Sequence, residues 1–186
     1  MGNRSEERQL VEQARAGDRH AMSTLYHLYD RRVYSVARRL TGDDDLAQDV
    51  AQDAWIRAFQ KLEMFRGDAS FGTWVYRIAT NAALNRLRSV SRRSEAESSA
   101  DWTTGAASID DVVLNQNVLQ EALDRLPQGY RTVLVLHDVQ GMKHGEIAES
   151  LGVTVGTSKS QLHKARARMR EMLAPTTMKS EAGRDV

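Results

Sequence analysis

The stretch GMKHGEIAESLGVTVGTSKSQLHKARARMREML, residues 141–173, decides the architecture, because two helix-like segments meet here at a short break around Gly152. Ile147, Ala148 and Leu151 share one side of the first segment, and the glycine stands where a helix end needs a left-handed residue. Thr154 is a favourable N-cap for a second helix, whose Val155, Leu162, Ala165, Met169 and Met172 form an inward apolar stripe. The other face is basic: Lys159, His163, Arg166 and Arg170 recur at helical spacing, with Ser160, Lys164 and Arg168 alongside. This is a helix-turn-helix whose second helix suits a DNA major groove. The solvated face of an ordinary bundle helix produces a similar charge pattern.

Composition narrows the class. The chain of 186 residues has only two prolines and 6% aromatics, which points to helices around small cores and away from barrels and sandwiches. No apolar run approaches the roughly 20 residues of a membrane span. The polar start MGNRSEERQ is no secretory signal, so the expectation is a cytoplasmic protein with no membrane insertion of its own. With no cysteine, disulfides, thiol nucleophiles and the usual structural zinc sites are excluded. Charge is unevenly placed: a net-acidic stretch at 89–124 separates net-basic stretches at 1–88 and 125–173.

Read in order, residues 5–16 predict a short helix with Leu10, Val11 and Ala14 inward, ended at Gly17. A long helix follows over 19–40, with Met22, Leu25, Tyr26, Tyr29, Val33, Val36, Ala37 and Leu40 on its core face and Thr41-Gly42 as its stop. Asp43, Asp44 and Asp45 open the next helix as caps; a magnesium site is the sharper alternative, but consecutive residues diverge around a helix axis. Ala47, Val50, Ala51, Ala54, Trp55, Ala58, Phe59 and Leu62 then form a narrow apolar face, opposite a polar one with Asp49, Gln52, Asp53 and Gln60.

Residues 65–73, FRGDASFGT, break this pattern, and a new helix is predicted from about Trp74. Arg66, Phe71, Trp74, Tyr76 and Arg77 put rings and guanidinium groups beside a flexible loop, as single-strand binding requires. Trp74, with Ile78 and Ala82, equally fits a core face. Arg77, Asn81, Asn85 and Arg88 continue as a stripe of donors and amides able to meet phosphates or bases. Ser89 to Ser108 lacks a sustained period and reads as a flexible linker. Some 20 residues of such chain have an r.m.s. span of about 25 Å and reach roughly 70 Å extended. Helical pattern resumes over 109–126 and 130–138, and residues 174–186 read as a disordered tail.

The expected fold is therefore all-α: two small helical domains, 1–88 and 109–173, joined by the 89–108 linker, the second a helix-turn-helix. Neither a nucleophile with its base nor a carboxylate cluster is visible, and His20, His27, His137, His144 and His163 are scattered. No catalytic residue, metal or cofactor is expected. A stand-alone repressor with the same helix-turn-helix is the competing reading, but a duplex reader has no need of the aromatic, arginine-rich loop at 62–88.

Four segments taken together resemble the bacterial RNA polymerase sigma factors of the extracytoplasmic-function group. They are YDRRVYSVARRLTGD, DVAQDAWIRAFQKL, FRGDASFGTWVYRIATNAALNRLR and LPQGYRTVLVLHDVQGMKHGEIAESLGVTVGTSKSQLHKARARMREML, and the match covers about residues 20–173. The resemblance implies a non-enzymatic subunit with core RNA polymerase, promoter DNA and an anti-sigma factor as partners. By it, Asp49, Gln52, Asp53 and Arg57 dock on the polymerase. Arg66, Gly67, Ser70, Phe71, Trp74, Tyr76, Arg77, Asn81, Asn85 and Arg88 serve the −10 strand, with a flipped base taken by the loop at 66–71. Thr157, Lys159, Ser160, His163, Lys164 and Arg166 serve the −35 element. Two positions depart from the group's pattern: Ser158 replaces a usual valine on the inward stripe, and Gln161 replaces a usual arginine. The buried serine calls for a partner, such as a carbonyl of its own helix.

Overall fold

The computed structural model describes residues 4–96 and 114–174, which are helical with no strand among them. They fall into two compact units. The first holds α1 (Arg4–Arg15), α2 (Arg19–Thr41), α3 (Asp44–Gln60), a single 3-10 turn (Leu62–Met64) and α4 (Phe71–Ala96). The second holds α5 (Leu114–Asp124), α6 (Gln128–Leu134) running into a wide π turn (Val135–Val139), α7 (His144–Leu151) and α8 (Val155–Leu173). Parts of the expected linker (residues 97–108), the start of the expected fifth helix (109–113) and residues 175–186 of the expected tail lie outside the described residues.

Boundaries follow local chemistry. Asp18 caps α2 by accepting from the amides of His20 and Ala21, and Gly42 ends it in the left-handed region (φ 73°). Asp43 caps α3 at the Leu46 amide (2.7 Å), while Asp44 accepts from Arg38 Nε (2.9 Å) and from the Tyr34 hydroxyl (2.7 Å). Two of the three consecutive aspartates are thus engaged in joining the end of α2 to the start of α3.

In the first unit α2, α3 and α4 pack on one another, and α1 lies against α2. Leu25, Val33, Ala37 and Leu40 of α2 meet the alanine-rich faces of α3 (Ala47, Ala54, Ala58) and α4 (Ala79, Ala83), all of them buried. Such small side chains allow close helix approach. In the second unit α5, α6 and α7 all pack on α8 around Leu123, Val133, Leu136, Ile147, Leu162 and Ala165.

Two features differ from the sequence expectation. Helix α4 starts at Phe71 rather than near Trp74, because Ser70 caps it by accepting from the Thr73 amide (3.1 Å). It also continues to Ala96, past the expected domain end at Arg88. Residues 89–96 contain neither glycine nor proline, and extending an existing helix needs only one hydrogen bond per added residue.

Candidate nucleic-acid and docking interfaces

The loop between α3 and α4 rests on an aromatic cluster. Phe65 lies 5.2 Å from Trp74 and 5.8 Å from Phe71, which lies 5.7 Å from Trp74 and 5.6 Å from Tyr29, ring centre to ring centre. Phe71 is 0% exposed, so its ring is the floor of the loop and not a surface that a base could reach in this conformation. Trp74 and Tyr76 are half-buried; Arg66, Arg77, Asn81, Asn85 and Arg88 are exposed along the loop and α4. Arg88 donates to the Asn85 side chain (3.2 Å), and the Arg32 guanidinium lies over the Tyr76 ring (5.8 Å). Gly67 holds φ 78°, and Ser70 is half-buried at the helix cap. A half-covered indole on the same loop and helix as exposed Arg66 and Arg77 is suited to stacking a base and neutralising its phosphate. Sequence reading placed Phe71 among the base-stacking residues rather than in the floor, because an aromatic residue at a loop–helix junction has no periodic neighbours to show which way it turns.

On α3 the outer face carries Asp49, Gln52 and Arg57 exposed and Asp53 half-buried. Asp53 pairs with Arg57 (2.9 Å), and Asp49 reaches Arg86 of α4 (3.6 Å). Among them Ile56 is 51% exposed, an apolar residue inside a polar face that the sequence reading did not single out. Its apolar type kept it out of the polar face as read from the sequence, and the spacing 49, 52, 53, 56 is the signal that could have found it. Behind this face Trp55 stacks on Phe59 (5.5 Å) and donates to Asp30 (3.1 Å).

In the second unit the turn is as expected: Gly152 has φ 68°, ψ 33°, and Thr154 accepts from the Thr157 amide (3.0 Å) to cap α8. Lys159, Ser160, His163, Lys164 and Arg166 are exposed on one face, with Thr157 half-buried at its start. Leu162, Ala165 and Met169 are buried, but Val155 is 44% exposed rather than inward, since the first residue of a helix projects beyond the neighbours that cover later turns. Gln161 lies beside Gly129 of α6, where an added Cβ would come within 3.2 Å of Nε2, so its side chain engages the supporting helix.

A polar chain ties α8 to its supports. Ser158 is 0% exposed, and its Oγ lies 2.9 Å from His144 Nδ1 on α7, so its partner is an imidazole and not a carbonyl of its own helix. The His144 ring stacks on His137 (4.7 Å), and His137 Nδ1 is 2.7 Å from Asp138. Asp138 in turn accepts two hydrogen bonds from Arg166 (3.0 and 2.6 Å). Arg166 holds the Asp138 carboxyl below its usual range, while burial, reinforced by His137, Lys159 and Arg166, lowers the pKa of His144. Both His137 and Asp138 sit on the π turn, whose widened backbone (Gln140 N to Val135 O, 3.0 Å) interrupts the regular helix at this junction.

Comparison with known proteins accounts for both units. Residues 25–93 match the Sigma-70 region 2 model and residues 116–169 the Sigma-70 region 4 model, which makes this a chain of the sigma-70 class. It is 30% identical to the ECF RNA polymerase sigma factor SigW of Bacillus subtilis, over 88% of this chain and 94% of that protein. It is 31% identical to the RNA polymerase sigma-H factor of Pseudomonas aeruginosa (94% of this chain, 97% of that one) and 31% identical to the ECF sigma-E factor of Escherichia coli K12 (89% and 93%). The chain therefore belongs to the ECF RNA polymerase sigma factors. Its fold is similar to that of the sigma factor RpoE solved with the anti-sigma factor NepR from Bartonella quintana (TM-score 0.59, 22% identity, 81% of this chain and 95% of that one). It is also similar to CnrH solved with the cytosolic domain of CnrY (TM-score 0.52, 26% identity, 90% and 96%). Among the described residues no helix is long and apolar enough to cross a membrane.

Proposed function

We propose that this protein binds core RNA polymerase in the cytoplasm, recognises −35 and −10 promoter elements and promotes strand opening, with no catalytic centre of its own. The observation that carries this is the presence in one chain of two surfaces whose chemistry suits different forms of nucleic acid. One is a capped basic helix, α8, suited to a duplex groove; the other is a loop carrying Arg66 over an aromatic floor, continued by exposed Arg77 and Arg88 along α4, suited to single bases. A stand-alone repressor has use only for the first.

In this reading Lys159, Ser160, His163, Lys164 and Arg166 meet the −35 groove, and Arg66, Trp74, Arg77, Asn81, Asn85 and Arg88 border the melting strand. Phe71 acts from beneath. Strand separation is favoured because the separated strand is held more tightly than the duplex. The α3 face of Asp49, Gln52, Asp53, Ile56 and Arg57 docks on the polymerase. The two promoter elements lie roughly one and a half DNA turns apart, about 50 Å, so one unit serves each element. Control by an anti-sigma factor is part of this reading, as the sigma factor RpoE of similar fold was solved with the anti-sigma factor NepR.

The test is run-off transcription. Core polymerase with this protein is expected to initiate at promoters that core alone ignores, and silence across a genome-wide template library would sink the proposal.

A further inference from the structure

We infer that α1, which precedes the region 2 match, is a brace that sets the shape of the base-capturing loop, with Glu7 and Arg15 as positioning residues for −10 strand recognition. The inference rests on the proposed role of residues 66–71.

The segment between α3 and α4 is held from α1 at both ends. At its start Arg15 donates through Nε to the Leu62 carbonyl (3.2 Å) and through Nη2 to the Phe65 carbonyl, while Glu12 steadies the guanidinium at Nη1 (2.7 Å). At its end Glu7 accepts through Oε1 from the amide of Phe71 (2.9 Å), the first residue of α4, and through Oε2 from the Tyr29 hydroxyl. Tyr29 presses on the same junction: its ring packs against Phe71 (5.6 Å) and lies within 2.7 Å of where a Cβ on Gly72 would be. Glu7 and Arg15 are about 12 Å apart along one helix. A rigid rod thus fixes both ends of the strand that carries Arg66, Gly67 and Ser70. A loop with fixed ends has less conformational freedom to lose when a base enters it, so its grip on that base is stronger.

The experiment uses the full chain reconstituted with core polymerase, as wild type, Glu7→Ala, Arg15→Ala and Glu7→Gln. Each holoenzyme is titrated with a forked promoter fragment exposing the −10 strand, intact or with single abasic positions, and with a duplex carrying only the −35 element. Wild type is expected to prefer the intact fork at one position by about tenfold or more, and Glu7→Ala and Arg15→Ala to bring that preference towards one. Glu7→Gln keeps an acceptor for the Phe71 amide and should retain most of it. Binding to the −35 duplex is expected to stay at the wild-type level in all three. A Glu7→Ala protein that keeps the wild-type preference overturns the inference, as does one that loses fork and −35 binding equally. If wild type shows no abasic effect anywhere along the strand, the failure lies with the role assigned to the loop itself.

Discussion

Arg166 has two claims on it. It is exposed on the basic face of α8, yet its guanidinium is closed on Asp138. An exposed ion pair contributes at most about 1 kcal/mol, so a phosphate can compete for the arginine. Asp138→Asn is expected to cost less than about 1 kcal/mol in denaturant unfolding while steepening the salt dependence of −35 binding by about one unit. An unchanged slope would remove Arg166 from the contacts. Lys164, exposed on that face, gives the opposite sign: Lys164→Ala should reduce the slope by about 0.9 unit in the same titration. His144 supplies a pH dependence. Its folded pKa lies below the ordinary value, through burial first and then through His137, Lys159 and Arg166, with Asp138 opposing. The unfolded chain takes up that proton near pH 6.5, before the folded one does. The unfolded state therefore binds more protons as pH falls through 6.5 towards the folded pKa, and stability declines over that window. An NMR titration of the His144 ring should give a midpoint under about 6.5; a midpoint above it contradicts the burial argument.

Among elements, two glycines separate conformational from steric constraint. Gly152, between α7 and α8, sits at φ 68° with open space where a Cβ would go, so Gly152→Ala should cost about 1 kcal/mol through backbone strain alone. Gly72 lies in α4 with the Tyr29 ring against it, and Gly72→Ala must displace that ring, at about 1–3 kcal/mol. Thermal unfolding of the two variants checks the order. The first glycine was legible in the sequence, because a glycine before a Thr cap marks a helix end by itself. Gly72 was not, since its constraint is a side chain more than forty residues earlier in the chain. The same distinction covers α8: its N-cap and basic face were readable from spacing, whereas the exposure of Val155 follows from its place at the head of the helix and the His144 partner of Ser158 from α7.

For the whole molecule, the proposed function assigns different work to the two units, duplex to one and single strand to the other. Docking on the polymerase belongs to this scale. Ile56 is half-exposed at the centre of the α3 face, and Ile56→Glu should leave stability within about 0.5 kcal/mol of wild type. The same change is expected to weaken the complex with core polymerase by about tenfold or more, read by competition binding. Unimpaired binding would move the docking surface elsewhere.

The sequence alone determined the all-α class, the helix-turn-helix, the caps at Asp43 and Thr154 and the family, because periodicity, capping and turn chemistry act over a few residues and are written locally. Only the tertiary structure decided that Phe71 is a floor and not a contact, that Ser158 answers to His144, that Arg166 is shared with Asp138, and that α1 holds both ends of the loop. Each of these joins residues distant in the chain. Such pairings depend on how helices pack, and spacing along one helix carries no record of what the next helix presents to it.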